Sequence, residues 1–155
     1  MIYVNNLYCG LKFEKTVNYR LAYSFCAGDS LTLTLSPDKT ILPFWGFRHN
    51  DNATDTEETL SFIKNLTTFY NDKGHEYLLS SKRIIGKKFI SNKVTFTCWG
   101  RKSDAVLDKI LSSAYEKKNG DKVQIFVNPF TNEEKIILDN KSLIIPALSV
   151  LEIKI

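Results

Sequence analysis

The sequence predicts an α+β fold that is mostly β, with a strand-and-helix segment over residues 1–75 and a small antiparallel β-sandwich over residues 76–155. Three observations predict it. In the last third, Val123, Ile125 and Val127 alternate with Gln124, Phe126 and Asn128 before Asn128-Pro129 breaks the run. An Asn119-Gly120 dipeptide stands between two segments able to alternate. One segment alone, Thr54–Asn71, carries helix signals at both its ends and along its face.

The first part opens with short extended segments. Tyr19, Leu21, Tyr23 and Phe25 alternate with Arg20, Ala22 and Ser24, and Leu31, Leu33 and Leu35 alternate with Thr32 and Thr34. Ser36-Pro37-Asp38-Lys39 reads as a turn, and residues 41–47 as another extended segment. A polar loop, His49–Thr54, leads into the helix. Thr54 and Glu57 have capping-box spacing, while Asp55, Glu57 and Glu58 set negative charge at the positive end of the helix dipole. Leu60, Ile63, Leu66, Phe69 and Tyr70 fall on one face, Phe62 widens it, and Gly74 supplies a left-handed stop. Such a face must pack on a sheet.

From about Tyr77 onward the chain reads as strands without a comparable helix. Residues 103–118 fit two descriptions. Val106, Leu107, Ile110, Leu111 and Ala114 have helical spacing, with Ser103 as a cap. Asn119-Gly120 instead suits a type I′ turn, which demands φ > 0 at both central residues and predicts a hairpin of Ile110–Lys118 with Lys122–Asn128. The hairpin is the preferred reading and the helix its alternative. A three-strand run ends the chain: 123–128, then Ile136-Ile137-Leu138, then 143–155 with Pro146 at a bend.

Composition limits the function classes. A chain of 155 residues, 43% hydrophobic and 25% charged, buries the core of one moderate domain or two small ones. No apolar run has the length of a membrane span and Met1–Gly10 lacks signal-peptide character, so the sequence as written implies a cytoplasmic protein without a membrane role. Cys9, Cys26 and Cys98 are odd in number, widely spaced and without histidine at ligand spacing, which points to buried thiols and to no metal or cofactor. Charge is uneven: residues 1–75 hold seven Lys/Arg against eight Asp/Glu, and residues 76–155 hold fourteen against nine. Lys82, Arg83, Lys87, Lys88, Lys93, Arg101 and Lys102 carry that excess, with Phe89 and Trp99 among them. Cations interleaved with aromatics suit single-stranded nucleic acid, but the modest basicity and missing recognition motif favour a solvated sheet face.

A family resemblance covers most of residues 20–155. The order Gly-His-Glu-Tyr-Leu-Leu (74–79), Val-Thr-Phe-Thr-Cys-Trp-Gly (94–100), Leu-Ser-Ser-Ala-Tyr (111–115), Asn119-Gly120-Asp121, Val-Gln-Ile-Phe-Val-Asn-Pro (123–129) and Ile-Pro-Ala-Leu-Ser-Val-Leu (145–151) resembles the C-terminal end of certain glycoside hydrolases. There a (β/α)8 barrel precedes a small all-β domain. Tyr-Ser-Phe-Cys-Ala-Gly-Asp-Ser (23–30) and Thr54–Asn71 are similar to the last barrel strand and helix, so the resemblance makes residues 1–75 a barrel remnant. A whole barrel needs about 250 residues. The resemblance therefore implies a carbohydrate-associated fragment, not catalytic alone, since the earlier strands would carry the carboxylate pair that glycoside hydrolysis requires.

The remaining sugar-binding candidates are Asp29, Phe44, Trp45, His49 and Asp51, where rings cover sugar faces and polar groups bond hydroxyls. Their alternative is ordinary core and turn chemistry. A free-standing β-sandwich binding module and a basic nucleic-acid binder are the competing functions, and an open sheet edge makes a protein partner or self-association the expected company. On the carbohydrate reading the chain hydrolyses no glycoside. Trp45→Ala and Asp29→Asn should each weaken oligosaccharide binding at least several-fold in titrations, and turnover or unchanged binding would defeat it.

Overall fold

The computed structural model describes residues 16–28, 34–35, 41–42, 56–96 and 105–155. The first element among the described residues is a helix, α1 (Thr16–Ala27), where the alternation of residues 19–25 predicts a strand. The segment is apolar on more than one side, and that explains the discrepancy. Val17, Leu21, Ala22, Phe25 and Cys26 form a buried helical stripe, while Tyr19 points into a separate cluster with Phe96 and Phe130. Tyr23–Ala27, likened above to a barrel strand, are thus helical. Gly28 ends α1 with φ +80°, its N–H donating to the Phe25 carbonyl at 3.1 Å.

Strands β1 (Thr34–Leu35) and β2 (Ile41–Leu42) pair antiparallel, Leu35 opposite Ile41, in agreement with the extended readings on either side of residues 36–39. The expected helix follows as α2 (Thr56–Phe69), with Glu57 and Glu58 in its first turn. Thr54, the expected cap, lies outside the described residues. The buried stripe of α2 runs through Thr59, Phe62, Leu66 and Phe69, whereas Leu60 is exposed. Gly74 does not stop the helix. The chain continues through two π-helical turns, Tyr70–Gly74 and Glu76–Ser80, and Gly74 is buried where an added Cβ would stand 2.9 Å from the Phe69 ring. Close packing, not a left-handed backbone, accounts for this glycine.

The strands that follow are β3 (Lys82–Ile84), β4 (Phe89–Ser91), β5 (Lys93–Phe96), β6 (Ala105–Asp108), β7 (Leu111–Glu116), β8 (Lys122–Asn128), β9 (Glu134–Leu138), β10 (Lys141–Ile145) and β11 (Ser149–Lys154). Residues 105–108 and 111–116 are therefore strands, not parts of a helix, and the closing segment is two strands divided at Pro146. A four-stranded antiparallel sheet has the order β11-β8-β7-β3, a three-stranded one the order β10-β9-β4, and β5 pairs with β6. The chain is α+β and mostly β. Between the two larger sheets lie Phe126, Leu151 and Ile153 from one and Phe89, Ile136, Leu138, Leu143 and Ile145 from the other. On the opposite side of the four-stranded sheet, Tyr115, Val123, Ile125 and Val127 share one core with α1, α2 and Tyr77.

One hairpin turn departs from its expected geometry. At Asn119-Gly120 only Gly120 has positive φ, +86°; its N–H donates to Lys117 O at 2.9 Å and Lys117 N–H donates to Asp121 O at 2.8 Å. That is a three-residue loop closed by a glycine bulge, not a type I′ turn. Asn119 stabilises it by accepting the Asp121 N–H at 3.0 Å. The two-residue turn with both residues left-handed occurs instead at Asp139 (φ 49°) and Asn140 (φ 60°), joining β9 to β10. Gly120→Ala should cost about 1–2 kcal/mol by forcing a Cβ into the left-handed region, and Asn140→Gly should be neutral or stabilising. Urea denaturation of both variants checks the assignment; equal losses would contradict it.

Candidate functional site

The sequence-derived candidates Asp29, Phe44, Trp45, His49 and Asp51 lie outside the described residues, as do Cys9, Cys98, Trp99, Arg101 and Lys102. Among the described residues no three His, Cys, Asp or Glu side chains gather as a metal set. Cys26 is a buried free thiol on α1, not on a strand, and burial pushes its pKa up to about 12. A thiol held that far into its neutral form is a packing group, not a nucleophile. His75 stands between the two π-helical turns, its Nδ1 3.2 Å from the Tyr70 carbonyl.

One polar cluster joins two connections to a strand. Ser91 Oγ and Lys93 Nζ both donate to Asp108 Oδ1, at 2.8 and 2.7 Å. Lys109 N–H donates to Asn92 O at 2.8 Å, Asn92 Nδ2 donates to Glu134 Oε2 at 3.1 Å, and Lys109 Nζ pairs with Glu134 Oε1. Tyr19 OH reaches the Asp108 carbonyl at 2.8 Å, tying α1 to the same corner. Burial alone would raise the Asp108 carboxyl, but hydrogen bonds from Lys93 and Ser91 outweigh it and hold it below its ordinary value. Ser91 gives its proton to a carboxylate that already faces an ammonium. The cluster fastens the β4–β5 and β6–β7 connections to the start of β9, and its geometry contains no activated nucleophile.

The basic stretch is divided by the fold. Lys87 pairs with Asp139 at 2.6 Å, Lys93 with Asp108, and Arg83 donates to the Ala27 carbonyl at 3.3 Å. Phe89 is half-buried edge-on against Phe126, with centroids 5.2 Å apart, so its ring is not a platform for a base.

The surface that stands out is the outer face of the three-stranded sheet. Ile90 and Ile137 are direct cross-strand partners, and Ile144 lies on β10 two residues beyond Ser142, the partner of Ile137 on its other side. These three are 67%, 43% and 56% exposed. Their strand neighbours Phe89, Ile136 and Ile145 fill the sandwich core. Lys135 is exposed on the same outer face opposite Ile144, and Lys88 is exposed two residues before Ile90. The ion pairs among the described residues engage Lys73, Lys87, Lys93, Lys109 and Lys117, and neither of these two. The sequence reading passed over this face, although it left a signal. Phe89-Ile90, Ile136-Ile137 and Ile144-Ile145 are apolar doublets on strands, and a period of two turns one member of each outward.

No helix among the described residues is long and apolar enough to cross a membrane. The chain matches no protein-family model, no curated protein and no solved structure.

The depressed Asp108 carboxyl makes a pH prediction. Its contribution to stability is present above its ordinary value of 3.8 and is lost as pH falls through the lower folded-state value. Asp108→Asn should therefore be less stable than the parent at neutral pH, by about 1 kcal/mol or less for so exposed a pair, and the gap should close in acid. Denaturation midpoints across that range check it; a gap that widens on acidification contradicts it.

Proposed function

We propose that this chain is a non-catalytic binding module that seats a protein partner on the outer face of its three-stranded sheet. The observation that supports the reading is the contiguous Ile90, Ile137 and Ile144 surface. An isolated exposed apolar side chain is ordinary, whereas branched aliphatics adjoining across three neighbouring strands mark a place where a partner removes them from water. Burying one such side chain fully is worth about 1.5–3 kcal/mol. β9 and its neighbours already have their inner residues in the sandwich core, so the outer isoleucines serve the fold only through cross-strand contact, about 0.2–1 kcal/mol a pair. The polar cluster at Asp108 and Glu134 is satisfied by its own members, which supports binding over catalysis.

The test uses the folded chain as bait. Ile90→Ser combined with Ile137→Ser should cost no more than about 1 kcal/mol per site, the span of strand propensity and cross-strand pairing, and leave the chain folded. The parent should retain a specific protein that the double variant releases. Retention of the same protein by both, or unfolding of the variant, would sink the reading.

A further inference from the structure

We infer that the segment this sheet face accepts is acidic: a protein stretch that sets apolar side chains on Ile90, Ile137 and Ile144 and carboxylates beside Lys88 and Lys135. The inference rests on the binding-module reading and goes beyond it by naming the partner's chemistry. Lys135 faces Ile144 across the β9–β10 ladder, and Lys88 stands at the β4 end of the isoleucine row, so cations lie at both margins of the apolar strip. Of the carboxylates bordering the strip, Asp139 is held by Lys87 at 2.6 Å, and Glu133 is exposed two residues before Lys135. What remains outward is apolar surface with two lysines against one carboxylate, Glu133, in a half of the chain with fourteen basic residues against nine acidic ones. Complementary charge at the rim selects a partner and speeds encounter, while the apolar centre supplies affinity.

Other occupants fit less well. A second copy of this face would set lysines against lysines. Nucleic acid would satisfy the cations, but isoleucine offers no plane on which a base stacks.

The experiment measures binding of the full chain, by fluorescence anisotropy, to two labelled peptides that alternate valine with glutamate or valine with lysine. The glutamate peptide should bind at least about tenfold more tightly and weaken as salt is raised. Lys88→Glu with Lys135→Glu should reverse that preference, and Ile90→Ser with Ile137→Ser should weaken the glutamate peptide. Equal binding of both peptides, lost in the isoleucine variant, would overturn the acidic assignment and leave the sheet-face reading standing. Binding of neither peptide, or binding indifferent to the isoleucines, would overturn both. Tighter binding to oligothymidylate or to phosphatidylserine vesicles, or a dimer that the isoleucine variant abolishes, would also overturn the acidic protein partner.

Discussion

The architecture depends on β8 having no solvent face. Val123, Ile125 and Val127 point into the helical core and Phe126 into the space between the sheets, so consecutive residues serve opposite cores. A strand buried on both sides must be covered on both sides. The helices provide one cover, and the three-stranded sheet provides the other. β7 and β11 flank β8 on its two edges, which satisfies its main chain while its side chains go in both directions.

Two polar residues on that strand make the arrangement specific. Gln124 accepts the Lys87 N–H at 2.8 Å and donates to Lys87 O at 3.1 Å and Ser112 Oγ at 2.9 Å, so its amide substitutes for a strand partner to the connection between β3 and β4. Gly86 is required beside it, because an added Cβ would lie 2.8 Å from the Gln124 amide carbon. Asn128 performs the same service at the strand's far end. Its Nδ2 donates to the carbonyls of Asn132, Ile145 and Pro146, and its Oδ1 accepts the Phe130 N–H at 3.0 Å. Left unpaired, such buried amides would each cost about 1–3 kcal/mol, so the connections must return to them. A third buried amide, that of Asn18, accepts the Thr59 hydroxyl on its Oδ1 at 2.9 Å and sets α2 against α1.

This layering determines which surface is left for a partner. The four-stranded sheet is enclosed by helices and by the second sheet, but nothing among the described elements covers the three-stranded sheet from outside. Its strands are short and carry apolar residues in consecutive positions. One member of each doublet is needed for the core, and the other is displayed. The charged edge strand β3, with Lys82 and Arg83 exposed, is by contrast poorly suited to pairing with another chain.

By itself the sequence determined the strand-rich second half, the helix beginning near Thr56 and the break at Asn128-Pro129, and it favoured a hairpin of Ile110–Lys118 with Lys122–Asn128 over a helix, because alternation, turn dipeptides and acidic helix starts act over a few residues. It misassigned 19–25 because a helix buried on two faces also shows alternating apolar residues, and only packing against Phe96 and Phe130 on one side and Phe62 and Leu66 on the other selects the helical period. It assigned Gly74 a left-handed helix stop because glycine's local meaning is conformational freedom, whereas the Phe69 ring above it is a contact made by packing. The candidate surface was half legible: 136–137 and 144–145 fall in expected strands, whereas Phe89 figures in the sequence only as a ring among cations. Which member of each faces outward, and that the three outward members adjoin, is a matter of register between separate strands. Register is set by the buried partners Phe126, Ile136 and Ile145, and so belongs to the tertiary structure.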